Sequence, residues 1–288
     1  MDHSCLSRSF AFIVLLVTSL RISCRADTTS FNDNYHVTWG HDHALLLNQD
    51  REIQLTLDQK SGAGFESKMR YGSGLFHIRM KIPDKNSTGV LTSFYVRYFW
   101  FLASRSSHHD EIDLEFLGNN GPPYKLHTNL YINGQGGREQ QILLWFDPTK
   151  DFHSYKILWN EHQIVFFVDN VPIRVYRNNI RKKVSFPSQP MHIFASIWHA
   201  EGWASDGRKT DWHQAPFHAH YQDFHVDGCV LQDHNIRECH SPKFWWNAEK
   251  YRKLNPDQER EYRNVRKKHL VYDYCSSKSS SHYSECHK

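Results

Sequence analysis

From Tyr35 to Cys229 the chain alternates between short apolar runs and clusters of Gly, Pro, Asn and Asp, and within the runs apolar residues tend to recur at every second position. That period belongs to strands, because successive side chains of an extended chain point to opposite faces. Gln54 to Asp58, Leu75 to Ile82 and His162 to Asp169 are the clearest runs. In the second, apolar positions run from Leu75 or Phe76 through to Ile82 while His77, Arg79 and Lys81 take the other face, as a sheet with one solvated side requires. Asp169-Asn170 then marks a turn into Val171 to Val175, a hairpin partner. Many strands at turn-punctuated intervals of roughly ten residues, with no long helical period between them, predict an all-β sandwich rather than alternating β and α units. One domain of that kind can occupy about 200 residues.

The two ends of the chain read differently. Near the C-terminus, Asn255-Pro256 supplies a helix cap followed by Pro at the first helical position. Asp257, Glu259 and Glu261 then precede Arg266, Lys267 and Lys268, the charge order that a helix dipole favours, so a helix is predicted over about 256–268. At the N-terminus, Phe10 to Leu20 is continuously apolar, but its length is roughly half of what a bilayer-spanning helix needs. With Arg8 before it and Cys24-Arg25-Ala26 after it, the layout is that of a secretory signal peptide over residues 1–26. The expected division is therefore 1–26 signal, 27–228 β-domain and 229–288 a C-terminal extension.

Secretion sorts the cysteines. Cys5 and Cys24 leave with the signal, and Cys229, Cys239, Cys275 and Cys286 remain in an oxidising compartment, where an even number reads as two disulfides. Four cysteines allow three pairings; their clustering favours Cys229 with Cys239 and Cys275 with Cys286. The CxxC spacing of a zinc site is absent and the histidines show no HExxH pattern, so no metal or cofactor is expected. Asn86-Ser87-Thr88 is a glycosylation sequon in a Lys/Asn/Ser loop. With 39% hydrophobic and 14% aromatic residues the chain is too apolar for a disordered protein. A net charge of +4 is too nearly neutral for a nucleic-acid binder, although 21 histidines would make it distinctly cationic below about pH 6.

Chemistry concentrates in His109 to Gly118. On a strand, Glu111, Asp113 and Glu115 share one face while Ile112, Leu114 and Phe116 point to the other. Three carboxylates in a row repel one another, and a purely structural strand would dilute them with Lys or Arg. Retaining glycoside hydrolysis has a use for them: one ionised carboxylate attacks the anomeric carbon and a second, kept protonated, donates to the leaving oxygen. Crowding of like charges raises at least one pKa and so separates the two roles. Residues four apart on a flat strand lie about 13 Å apart, whereas the retaining mechanism brings its carboxyls to about 5–5.5 Å, so the spacing implies long side chains leaning inward on a curved sheet. An acidic alternation of this kind also fits a solvated face or a calcium contact, and the residues alone do not say which Glu plays which part.

The segment HDEIDLEFLG resembles the signature of the plant xyloglucan endotransglucosylase/hydrolases within glycoside hydrolase family sixteen, where ExDxE marks the active strand. The resemblance continues through Leu126 to Asn129, Gly137 to Gln141, Leu144 to His153, Val171 to Arg174, Ser196 to Trp198, Lys209 to Trp212 and the Cys-rich tail with Tyr272 to Cys275. It implies a curved β-jelly-roll sandwich of the concanavalin-like kind, with an open cleft across its concave face and a C-terminal strand and helix that lengthen the groove. By position, Glu111 resembles the nucleophile, Glu115 the general acid/base and Asp113 the helper between them. His127, Thr128, Asn129, Gly137, Arg138 and Glu139 match segments lining the donor side; Gly202, Trp203 and Gly207 match the acceptor side. Trp198 and Trp203 supply the flat apolar surface that sugar rings stack on.

The implied activity is cleavage of the β-1,4-glucan backbone of xyloglucan with religation to a second xyloglucan chain, by a secreted monomer in the plant cell wall, with neither nucleic acid nor membrane as partner. The short loop from Tyr131 to Gly137 favours transfer over hydrolysis. Two alternatives are a hydrolase of undecorated β-glucan and a non-catalytic carbohydrate-binding jelly roll, the latter expected to have lost the acids. The chain departs from the resemblance in four places: an additional aromatic stretch from Arg97 to Ala103 before the acidic strand, no sequon just after that strand, where Asn119-Asn120-Gly121 stands, Gly202 where Asp is common, and no Arg after Cys275.

Overall fold

The computed structural model describes residues 29–98, 109–118, 121–205, 207–231, 235–277 and 282–286. The predicted signal segment and most of the additional aromatic stretch lie outside these residues, and Arg97 and Tyr98 lie within them. In chain order the strands are β1 (Tyr35–Trp39), β2 (Ala44–Leu47), β3 (Glu52–Leu57), β4 (Ala63–Ser67), β5 (Tyr71–Lys81), β6 (Val90–Arg97), β7 (Glu111–Phe116) and β8 (Lys125–Tyr131). There follow β9 (Gln140–Leu143), β10 (His153–Trp159), β11 (Gln163–Val168), β12 (Val171–Arg177), β13 (His192–His199), β14 (Phe217–Gln222), β15 (Asp227–Val230) and β16 (Leu270–Asp273). Helices α1 (Phe31–Asn34), α2 (Glu201–Ala204) and α3 (Pro256–Lys268) are few, as the strand period predicted.

These strands form two antiparallel sheets packed as a sandwich. The first has the order β1-β4-β13-β6-β7-β8-β9-β16, and the second β12-β11-β10-β5-β14-β3-β2 with β15 also on β5. Alternation explains the packing: Phe76, Ile78 and Met80 of β5 enter the core, while His77, Arg79 and Lys81 face outward. Leu75 belongs to the outward set, yet it too is covered, packing against a second cluster on the outer face of this sheet. The same cover explains β11, which is buried at every position instead of alternating. Ile164, Phe166 and Val168 point into the sandwich, whereas Val165 and Phe167 meet Cys239, Trp246 and Leu254 of the C-terminal extension.

The extension is held by local chemistry. Asn255 caps α3 with its side chain on the Gln258 amide, Gln258 returns a bond to the Asn255 amide, and Pro256 opens the helix. Arg266 in the last turn pairs with Asp273 at 2.7 Å, joining α3 to β16. β16 pairs with β9 and so adds an edge strand to the first sheet. The disulfides are Cys229–Cys239 and Cys275–Cys286, the pairing that clustering favoured.

Candidate active site

β7 is an interior strand of the first sheet, between β6 and β8. Its start is fixed by Asp110, a buried carboxylate that accepts from the amides of Asn133 (2.8 Å), Ser188 (2.7 Å) and Gln189 (3.1 Å). Ile112, Leu114 and Phe116 are buried in the core, and each such side chain contributes about 1.5–3 kcal/mol. Burial of this apolar face holds the strand in the sheet against the crowding of Glu111, Asp113 and Glu115 on the other.

Pairing across strands brings distant residues to that face. Arg97 and Tyr131 lie opposite Glu111, Tyr95 and Asn129 opposite Asp113, and Ser93 and His127 opposite Glu115. One strand further, Ser196 shares a 2.8 Å hydroxyl bond with Ser93, and Phe194 stacks on Tyr95 with centroids 5.2 Å apart. Two adjoining hollows of about 380 and 530 Å³ open over this surface, and Arg97, Glu111 and Glu115 line both. Trp198 and Trp203, 37% and 49% exposed, stand in the cleft with ring centroids 6.4 Å apart. Trp39 joins them from β1, where Gly64 leaves room for its ring: a Cβ there would meet the indole nitrogen at 2.4 Å.

The carboxylates are held differently. Glu111 Oε2 lies 3.2 Å from His109 Nε2 and 3.3 Å from Arg97 Nε. Glu115 Oε2 is 3.0 Å from His127 Nδ1, and the other ring nitrogen of His127 is 3.7 Å from Glu139 Oε2. Burial works against charge on His127, but its bonds to Glu115 and Glu139 prevail and raise its pKa. The bond to His127 in turn lowers the pKa of Glu139. Asp113 is the group that crowding affects most. Burial first, then the charges of Glu111 and Glu115 and the hydrogen bond it donates to Glu111, hold its pKa well above the carboxylate range. The middle acid is thereby biased toward its neutral form, which relieves the strand of a third charge.

This has a measurable sign. A proton that native Asp113 retains is released on unfolding once the pH exceeds about 3.9, so this site stabilises the fold fully below that pH. The contribution is lost as pH rises toward the native pKa, at up to about 1.4 kcal/mol per pH unit. Asp113→Asn keeps a donor and removes the titration. The melting temperature of the variant relative to the parent is therefore expected to rise between pH 4 and pH 7, by roughly 2–4 °C per kcal/mol. An unchanged difference across that range would show that Asp113 is ionised in the native state.

Of the residues expected to bind substrate, His127, Asn129, Glu139, Trp198 and Trp203 line the cleft. Thr128 does not. It follows the alternation of β8 to the core side, where it is fully buried and its hydroxyl accepts from Arg174 at 2.9 Å. Arg138 is also turned away: its guanidinium is buried, 2.7 Å from Glu285 and over the ring of Tyr283. What Arg138 gives the site is its amide, which donates to Asn129 Oδ1 at 3.0 Å and leaves the Asn129 NH₂ group for the cleft. Gly137, at φ +75, backs onto Tyr283, while Gly202 within α2 and Gly207 after it are exposed. Asn86 is half-buried, its Oδ1 accepting from the Thr88 hydroxyl at 2.8 Å. Arg97, His109, Tyr131, Tyr95 and Trp39 line the cleft without having been predicted; Arg97 and Tyr131 were legible only as neighbours of β7 once its partners were known.

Residues 31–214 match the family described as glycosyl hydrolases family 16, and residues 240–280 match the xyloglucan endo-transglycosylase (XET) C-terminus. The chain is 45% identical over 289 aligned positions to the putative xyloglucan endotransglucosylase/hydrolase protein 1 of Arabidopsis thaliana, covering 96% of each chain. It is 50% identical to xyloglucan endotransglucosylase/hydrolase protein 2 of the same plant, covering 86% of this chain and 85% of that one. Among solved structures it resembles a prokaryotic β-1,3-1,4-glucanase (lichenase) from a mouse hindgut metagenome, with a TM-score of 0.54 and 25% identity over 66% of this chain and 91% of the other.

Proposed function

The chain belongs to the glycosyl hydrolases of family 16, and on that footing we propose that it cuts the β-1,4-glucan backbone of xyloglucan with retention and joins the new end to a second xyloglucan chain, or to water. The observation that carries this reading is the face of β7, where two glutamates with different partners flank a buried aspartic acid at the floor of an open cleft. Glu111 is the nucleophile. Its carboxylate attacks the anomeric carbon as the bond to the leaving oxygen breaks, and Glu115 gives that oxygen its proton.

In the covalent intermediate the charge of Glu111 is gone. Glu115, now ionised and oriented by His127, takes the proton of the incoming 4-hydroxyl while that oxygen attacks and Glu111 departs with the bonding pair. Asp113 orients the Glu111 carboxylate through the bond it donates. Arg97 places positive charge beside the same carboxylate and so favours the form that attacks, and His109 Nε2 lies 3.2 Å from it. His127, Asn129, Glu139, Trp198 and Trp203 hold the sugar chains, with the tryptophans as stacking surfaces. The signal-peptide layout of residues 1–26 supports a reading in which the chemistry takes place outside the cell, in the wall, where the substrate is.

Incubation with xyloglucan polymer and a labelled xyloglucan oligosaccharide is expected to place label on the polymer. Label that never enters polymer, while water-cleaved fragments accumulate, would remove transfer from the reading and leave a hydrolase.

A further inference from the structure

The second sheet carries on its outer face, away from the carboxylates of β7, a hollow of about 210 Å³. Its floor is Leu75, Leu158 and Phe167 of β5, β10 and β11, and its wall comes from the C-terminal extension. Trp245 in that wall is 39% exposed, and its ring meets the ring of Tyr251 at 5.0 Å and 64°. An exposed indole beside a second ring is the surface to which the C–H face of a pyranose fits.

The polar lining is cationic. Lys156, Lys250 and Lys253 all border the hollow. Lys156 Nζ donates to Asn170 Oδ1 at 3.0 Å, and burial lowers the pKa of this ammonium, so a nearby anion would relieve a cost the fold now carries. Lys250 lies over the Tyr251 ring at 5.0 Å. The carboxylate in the lining, Asp169, accepts from the Ser154 amide at 3.0 Å and meets His153 Nδ1 at 3.1 Å, and its charge with that of Asp223 offsets only part of the burial cost of Lys156. Gln163, almost fully buried in the same lining, donates through Nε2 to the Tyr251 carbonyl, while its Oε1 has no hydrogen-bond partner.

We propose that this hollow is a second carbohydrate site that binds an acidic pyranose, a uronate residue of a polysaccharide, with its ring on Trp245 and its carboxylate among Lys156, Lys250 and Lys253. A neutral sugar would add no charge to answer the excess of three ammonium groups over the carboxylate of Asp169 in this lining. Because the outer faces of the two sheets look in opposite directions, an acidic chain held here leaves the cleft open, and the enzyme works on one polymer while tethered to another. The site is independent of the catalytic reading, since its occupancy is measured without turnover.

The test titrates the full protein with trigalacturonate at pH 7.5, where histidines of ordinary pKa, about 6.5, are largely neutral and lysines are charged. Binding is expected to weaken at least about tenfold in Trp245→Ala and in the double variant Lys250→Ala/Lys253→Ala, and for the methyl-esterified trisaccharide, while transfer on xyloglucan stays at the parent rate. Absence of binding to the parent, equal binding to the variants, or equal binding of cellotriose overturns the proposal. Competition by inorganic phosphate as effective as that of the uronate also overturns it, by reassigning the hollow to a phosphate. Should Trp245→Ala fail to fold, as judged by circular dichroism, the double lysine variant at two exposed positions decides alone.

Discussion

Turnover of an aryl xyloglucan oligosaccharide is expected to fall more than about 10³-fold in Glu111→Ala and by about 10²–10⁴-fold in Glu115→Ala, and azide is expected to restore the two variants with opposite stereochemistry. With Glu111 removed, azide attacks from the side the nucleophile occupied and no second displacement follows, so the glycosyl azide is inverted. With Glu115 removed, Glu111 still forms the covalent intermediate, and azide, which needs no general base, opens it to the retained product. The product anomer read by NMR therefore assigns each role, which the symmetric spacing of the acids on β7 leaves open. Retained azide from Glu111→Ala would exchange the two assignments, and parent-level activity in that variant would remove the covalent mechanism.

The second large effect lies in the core. Arg174 of β12 is 1% exposed. Its Nη1 donates to both the carbonyl and the hydroxyl of Thr128 at 2.9 Å, and its Nη2 donates to the Arg138 carbonyl. Its guanidinium lies 5.5 Å from the Phe166 ring and 5.8 Å from that of Tyr274. One side chain thus ties the second sheet to β8, to the segment leading into β9, and to the C-terminal extension. Arg174→Met fills much of the volume but leaves buried carbonyls without donors, at a cost of about 3–5 kcal/mol. The melting temperature is expected to drop by roughly 6–20 °C. Arg174→Lys, which keeps the charge and loses the planar fork, should fall between the two. A melting temperature for Arg174→Met within about 2 °C of the parent would mean that water or a rearranged backbone satisfies those carbonyls.

Thr128 shows where reading by resemblance and reading by physics part. Three consecutive residues of one strand cannot all face a cleft, and the period of two that identified β7 already assigned Thr128 to the side opposite His127 and Asn129. Arg138 is a different case. Its side chain is claimed by Glu285, 147 residues away, and no local pattern announces such a partner. The same holds for Arg97, which the chain presents as the start of an unexplained aromatic stretch. It becomes a neighbour of Glu111 only because β6 pairs with β7 in one register.

By itself the sequence determined what depends on nearest neighbours along the chain: the strand period, the cap and span of α3, the pairing of close cysteines, and the placing of Glu111, Asp113 and Glu115 on one face. Those features follow from backbone geometry, whose period is local. The tertiary structure decided that burial raises the pKa of Asp113, which residues flank the acids, and which expected ligands turn into the core. Each of those depends on burial and on charges brought across strands, and desolvation acts on a group only after the rest of the chain has closed around it.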